Sequence, residues 1–203
     1  MPEKGLFFQN DIALIWDFDK TLSPHYMQRP LFEAYDINEE TFWSEVNLLP
    51  GYYAKAGIQV QPDTCYLGHL LTYVRSGRMK GLTNARLREL GAHIEFYPGL
   101  PECFKRLSAI VEETEFKEGD LHVEHYVVST GLRAMVEGSK IAPYLDGIWA
   151  SEFIEEAAPP GVDRHSSPKP GPISQIAGLL DNTTKTRAIF EINKGLISCR
   201  RLR

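Results

Sequence analysis

The chain has 203 residues, three cysteines, a formal net charge of -5 and a pI near 5.7. It is long enough for one substantial core or for a core with a smaller inserted unit. Its acidic balance argues against a non-specific nucleic-acid binder, which relies on dense Lys and Arg, while small anionic substrates stay compatible because local fields need not follow net charge. Cys65, Cys103 and Cys199 form no close-spaced zinc pattern and no disulfide framework, the amino terminus lacks a signal-peptide layout, and no apolar run is long enough to span a bilayer. These features predict a soluble protein of the reducing cytoplasm, with no membrane and no nucleic-acid partner.

In chain order, the first clear feature is Ile12-Ala13-Leu14-Ile15-Trp16, a short apolar run that ends in Asp17-Phe18-Asp19-Lys20-Thr21-Leu22. Such a run predicts a strand buried on both faces of a parallel sheet. Asp17 and Asp19 then lie at its carboxyl end, where open α/β sheets bind ligands. Residues two apart point the same way, so both carboxylates are expected to converge on one site beside a divalent cation while Phe18 turns into the packing. A calcium loop is excluded: it needs Gly at its sixth position and Glu at its twelfth, where this chain has Leu22 and Gln28.

Residues 25–93 carry helical periodicity and many aromatics, with Phe42, Trp43 and Val46 on one stretch and Leu67, Leu70, Leu71 and Val74 on another. A third helix is predicted from Thr83, a capping-type residue, to Leu90, with Gly91 as its stop. Ordinary helical packing accounts for these aromatics without any binding role. Tyr97-Pro98-Gly99 marks a return to the core, and Pro101 opens an amphipathic helix with Leu100, Phe104, Leu107 and Val111 on one face.

His125 to Gly131 repeats the first geometry, an apolar strand closed by Ser129-Thr130-Gly131, with Leu132, Met135 and Val136 beginning another helix. A hydroxyl beside free backbone N–H groups at a helix start suits a phosphate, although a Ser-Thr-Gly turn serves equally as a simple cap. Ile148 to Ile154 predicts a further strand with Trp149 and Phe153 on alternating positions. Ala157 to Pro172, rich in Pro and Gly, reads as a surface loop or long hairpin, and His165 within it as solvated. A last helix is predicted to begin near Lys185 and to finish before Gly195. A cation in a first turn opposes the helix dipole by about 0.3–1 kcal/mol, so Lys185 calls for a negative partner, whereas Lys194 at the other end is ordinary capping.

Asp17-Phe18-Asp19-Lys20-Thr21 resembles the Asp-x-Asp-x-Thr signature of the haloacid dehalogenase superfamily, and Ser129 and Lys185 follow in the order of its second and third motifs. The resemblance implies a Rossmann-like α/β core formed by residues 1–24 and 94–203, with residues 25–93 as an inserted helical cap that closes over the site. It implies a phosphatase-type hydrolase acting on a small phosphorylated metabolite. In this reading Asp17 is the nucleophile that becomes an aspartyl-phosphate, and Asp19 protonates the leaving oxygen and then activates water. Ser129 hydrogen-bonds the phosphoryl group, Lys185 neutralises it, and Thr21, Thr130 and Gly131 help to bind substrate. Mg²⁺ is held by Asp17 and by the backbone carbonyl of Asp19. An acid at position 19 favours phosphate-ester chemistry over dehalogenation.

One part of the superfamily's pattern has no counterpart: after Gly195 the sequence holds no Asp or Glu that could supply a further Mg²⁺ ligand. The expectation is therefore a truncated, alternatively terminated or frame-shifted product with weakened Mg²⁺ binding. Its strand Ile12 to Trp16 would then form an exposed edge prone to self-association. The rival reading is a catalytically impaired scaffold that binds phosphate-bearing ligands or a protein partner.

Overall fold

A computed structural model describes residues 10–113, 116 and 119–194 of the chain. Four strands form one sheet in the order β1 (Asp11–Trp16), β2 (His122–Leu132), β3 (Gly147–Ile154), β4 (Gln175–Gly178). The first three are parallel and β4 runs antiparallel to β3, so the fold is α/β with a mostly parallel sheet. The strand β4 has no counterpart in the sequence reading, because its four residues carry too short a pattern to register.

Strand alternation sorts the side chains onto two faces. On one face Trp16, His125 and Val127 meet helix α5 (Glu102–Ile110): the Trp16 ring lies edge-on to Phe104 at 5.5 Å and stacks on His125 at 6.1 Å. On the other face Tyr126, Val128 and Trp149 enclose a smaller cluster with Leu180, Ala188 and Ile192, which brings α7 (Lys185–Asn193) onto the sheet. Trp149 and Phe153 do not share a face as their spacing suggested. The pairing of β3 with β4 is irregular between Glu152 and Phe153, and Phe153 joins the larger cluster instead.

Residues 29–91 fold as four helices, α1 (Arg29–Ala34), α2 (Glu39–Ala54), α3 (Cys65–Arg75) and α4 (Asn84–Gly91). Local chemistry sets their starts. Asn38 caps α2 by accepting from the Thr41 N–H at 2.7 Å, and Thr83 caps α4 by accepting from Arg86 at 3.0 Å. Their apolar faces form one cluster with the sheet, running from Met27, Phe42, Leu67 and Leu70 to Leu132, Met135 and Ile148. Helix α4 lies against α6 (Arg133–Glu137) so closely that a side chain at Gly138 would meet the Arg88 carbonyl at 1.8 Å, which only glycine avoids. Residues 157–172 are loop, as their composition indicates.

The strand β1 corrects one expectation. Its apolar run predicted burial on both faces, yet Ile12 is 43% and Ile15 38% exposed, while only Leu14 and Trp16 turn partly inward. The reason is its place in the sheet: among the described residues β1 pairs with β2 alone, so its outer edge has no strand beside it. Cys199 and the other residues after Lys194 lie outside the described residues, and no described helix is long and apolar enough to cross a membrane.

Candidate active site

The site begins where β1 stops. Thr21, Leu22 and Ser23 all donate their backbone N–H to the Phe18 carbonyl, which folds residues 18–23 into a tight turn. Lys20 takes φ +60 within it, a left-handed conformation that non-glycine residues adopt sparingly and that clusters at functional sites. Phe18 anchors the turn from below, fully buried and edge-on to Phe96 at 5.7 Å. With that anchor fixed, Asp17 and Asp19 stand on either side of Phe18, above the ends of the parallel strands.

The two acids have different surroundings. Asp17 is exposed and accepts from Lys185 Nζ at 2.8 Å through Oδ1, and from Thr21 Oγ1 at 3.4 Å through Oδ2. Lys185 thus finds an anion across the sheet end. Its own loop is fixed by Asp181, which accepts from the Thr184 N–H at 2.6 Å and from the Thr184 hydroxyl at 2.9 Å. These bonds hold the Asp181 carboxyl below its ordinary range. Asp19 is half-buried, and its Oδ1 accepts from the Met27 N–H at 2.8 Å. Burial is the largest influence on it and raises its pKa to about 7, with the charge of Asp17 acting in the same direction and the Met27 N–H and Lys185 opposing. One carboxyl poised near neutrality beside an exposed carboxylate is an arrangement suited to an acid–base group next to a nucleophile.

The end of β2 meets this turn through Met27. The Leu132 N–H points at Met27 Sδ at 3.1 Å, and a side chain at Gly131 would meet the Met27 methyl at 2.2 Å, so any larger residue there requires the Met27 side chain to move. Ser129 is buried and its Oγ accepts from the Gly131 N–H at 3.0 Å. The Thr130 carbonyl accepts from Tyr66 Oη at 2.8 Å, tying α3 to the strand end. Asp19, Thr130 and Gly131 line one cavity of about 250 Å³ together with residues from α2 and α3. The structure therefore brings Asp17, Thr21 and Lys185 into one bonded group, and places Asp19, Thr130 and Gly131 on one cavity. Ser129 lies within β2, which runs on to Leu132 instead of closing at a Ser-Thr-Gly turn, and its hydroxyl is engaged by Gly131 of the same strand.

Sequence reasoning passed over Met27, Gln28, Trp43 and Tyr66. Met27 bridges both strand ends, and the other three line the cavity. Trp43 stood in a helical stripe where packing explained it, Tyr66 was one of the many aromatics of residues 25–93 that were not singled out, and Gln28 carried no motif.

No family model matches the chain. Over 192 residues it is 41% identical to an uncharacterized protein of Borreliella burgdorferi; the match covers 92% of this chain and 66% of that protein, so the chain spans just under two thirds of that relative's length. Among solved structures, a haloacid dehalogenase family hydrolase from Salmonella enterica superposes on 93% of this chain and 52% of its own with a TM-score of 0.55 at 14% identity. This chain has the haloacid dehalogenase fold. A phosphoserine phosphohydrolase-like protein from Francisella tularensis is more distant, with a TM-score of 0.45 at 20% identity over 93% of this chain and 74% of that one. In the fold seen here, the polar residues Asp17, Asp19, Ser129 and Thr130 lie at or just after the carboxyl ends of β1 and β2, which is where open parallel sheets place their ligands.

Proposed function

We propose that the chain is a Mg²⁺-dependent phosphomonoester hydrolase acting on a small phosphorylated metabolite through a covalent aspartyl-phosphate. The observation that carries this reading is the pair formed by Lys185 Nζ and Asp17 Oδ1 at 2.8 Å, beside an Asp19 carboxyl raised to about 7 at the mouth of a cavity. An Asp17 carboxylate oxygen attacks phosphorus, the bond from phosphorus to the ester oxygen breaks, and the departing oxygen takes the proton of Asp19. Asp19, now a carboxylate, removes a proton from water, whose oxygen displaces Asp17 and releases phosphate. Dividing the displacement into two steps lowers each barrier, and Lys185 offsets the charge of carboxylate and phosphate brought together. Residues 25–93 serve as the cap that excludes water and selects the leaving group.

The donors at the strand end suit Mg²⁺. Among the described residues Asp17 Oδ2 has only the 3.4 Å contact with Thr21, and the Asp19 backbone carbonyl would supply a second hard oxygen. Among the described residues no three His, Cys, Asp or Glu side chains cluster as a metal cage. Mg²⁺ accords with that, since it is commonly held by one or two carboxylates with substrate phosphate and waters completing its shell. When bound, the ion supplies charge stabilisation to the phosphoryl oxygens.

The test is phosphate release from a panel of small phosphomonoesters with Mg²⁺, repeated with chelator and with the Asp17→Asn variant. Turnover that needs both Mg²⁺ and Asp17 is expected. Turnover that survives in a clean preparation of Asp17→Asn rejects the mechanism. Saturable phosphate binding without turnover of any ester supports the competing reading, a phosphate-binding scaffold of impaired catalysis, which rests on the small number of carboxylates that the described residues bring to the strand end.

A further inference from the structure

The cavity beside Asp19 has a polarity that restricts what can leave with the ester oxygen. Its far end is walled by three contiguous rings: Tyr26 lies 5.0 Å from Trp43, and Trp43 lies 5.6 Å from Tyr66, centroid to centroid. Gln28, only 2% exposed, lies on the same wall with its Oε1 buried and, among the described residues, without a hydrogen-bond partner. The Trp43 Nε1 is likewise buried and unpartnered. Leaving such groups unpaired costs about 1–3 kcal/mol each, so both point to a ligand that brings one donor and one acceptor.

Charge narrows the choice. Asp63 lines the cavity, its Oδ2 held by the backbone and side-chain N–H groups of Asn182 at 3.2 Å, and among the described residues no Lys or Arg lines it. A leaving group with its own carboxylate or second phosphate would be desolvated there without a cation to meet it. Lys20, whose Nζ stands 4.0 Å from the Tyr26 ring centre, is solvent-exposed and therefore screened. Aromatic faces, a carboxylate and an amide oxygen together attract an organic cation.

We infer that the substrate is the phosphate ester of a small amino alcohol, whose ammonium sits among Tyr26, Trp43 and Tyr66 and donates to Gln28 Oε1 while an ester or phosphate oxygen accepts from Trp43 Nε1. The inference rests on the phosphatase reading for the phosphate end alone; the cation end stands on the cavity. A cavity of about 250 Å³ has room for an ethanolamine-sized group.

The experiment compares phosphoethanolamine with ethyl phosphate, which keeps the size and removes the charge, and with phosphoserine, which adds a carboxylate. kcat/KM and equilibrium binding of each are measured on the full chain with Mg²⁺. Phosphoethanolamine is expected to exceed ethyl phosphate by about tenfold in both readouts and to exceed phosphoserine as well. Trp43→Leu and the conservative Gln28→Met should each compress that ratio toward one, and using two variants guards against one that fails to fold. Equal handling of phosphoethanolamine and ethyl phosphate, or a preference for phosphoserine, overturns the inference while leaving a phosphatase in place. Tenfold tighter binding of phosphoethanolamine with no ester hydrolysed upholds the cation end of the inference, with the amino-alcohol phosphate as a ligand, and rejects the phosphatase instead.

Discussion

The two halves of the site are built by opposite means. At the strand ends, charge does the organising: Asp17, Asp19 and Lys185 come from two ends of the chain, and each has a bonded partner at 2.8 Å. At the helical wall, rings do it, together with two buried polar atoms, Gln28 Oε1 and Trp43 Nε1, that have no hydrogen-bond partner among the described residues. The contrast teaches that the reaction and the choice of substrate are separable here. Changes at the charged end should slow every ester alike, and changes at the ring-lined end should alter which ester is preferred.

The sharpest way to break that separation is Asp17→Asn. The amide is no nucleophile, so turnover of all esters should fall by about 10⁴-fold or more, with far-UV circular dichroism unchanged because Asp17 is exposed. Asp19→Asn comes next: positioned acid–base catalysis contributes roughly 10²–10⁴-fold, and the loss should be smaller for aryl esters, whose leaving groups need less protonation. An unchanged ratio between alkyl and aryl esters would remove Asp19 from that role. Lys185→Met should weaken binding of inorganic phosphate or vanadate by about tenfold to a hundredfold, the range for a hydrogen bond to a charged group. Phosphate bound as tightly as by wild type would refute the assignment.

At the ring-lined end, Tyr66→Phe removes only the hydroxyl that donates to the Thr130 carbonyl. Burial raises the pKa of that phenol well above its ordinary value, so it is neutral throughout the working range and the effect should be independent of pH. Loss of about 0.5–1.5 kcal/mol of stability is expected, read as a lowered denaturation midpoint in urea, with a several-fold rise in KM. The smallest effect lies outside both halves. His125 is buried against Trp16, whose Nε1 donates to His125 Nδ1 at 3.2 Å, and burial lowers its pKa from 6.5. At His125 the native state therefore binds fewer protons than the unfolded chain just below pH 6.5, so this residue's contribution to stability should fall as pH drops through that value toward the lowered native one. Between about pH 7.5 and pH 5.5, chemical denaturation should show wild type losing stability relative to His125→Gln by less than about 1.4 kcal/mol per unit of pKa shift, because the opposite contribution of the raised Asp19 carboxyl is common to both proteins and cancels in the difference.

Much of the first half was legible in the sequence. An apolar run ending in Asp17 and Asp19 fixes a strand and its turn locally, and the misfit of a lysine at a helix start asks for the anion that Asp17 provides. Burial of β1 was misread because side-chain composition reports how apolar a strand is, not whether another strand lies beside it. Trp43 was read as packing, and Tyr66 was not singled out, because a ring on a helix looks the same whether it faces a core or a cavity. Gln28 was invisible, since its significance is the absence of a partner for Oε1, which depends on residues far away in the chain. The site's local parts were readable and its enclosure was not, because enclosure is set by how α2 and α3 meet the end of β2.

The claim on which the account turns is that Asp17 carries the phosphoryl group. The most direct measurement is rapid acid quench of the chain turning over a phosphate-labelled ester with Mg²⁺, followed by peptide mass spectrometry. The account predicts label on the peptide that contains Asp17, lost on chase with unlabelled ester and absent from Asp17→Asn. Steady turnover with label on another peptide, or turnover undiminished in Asp17→Asn, would contradict it.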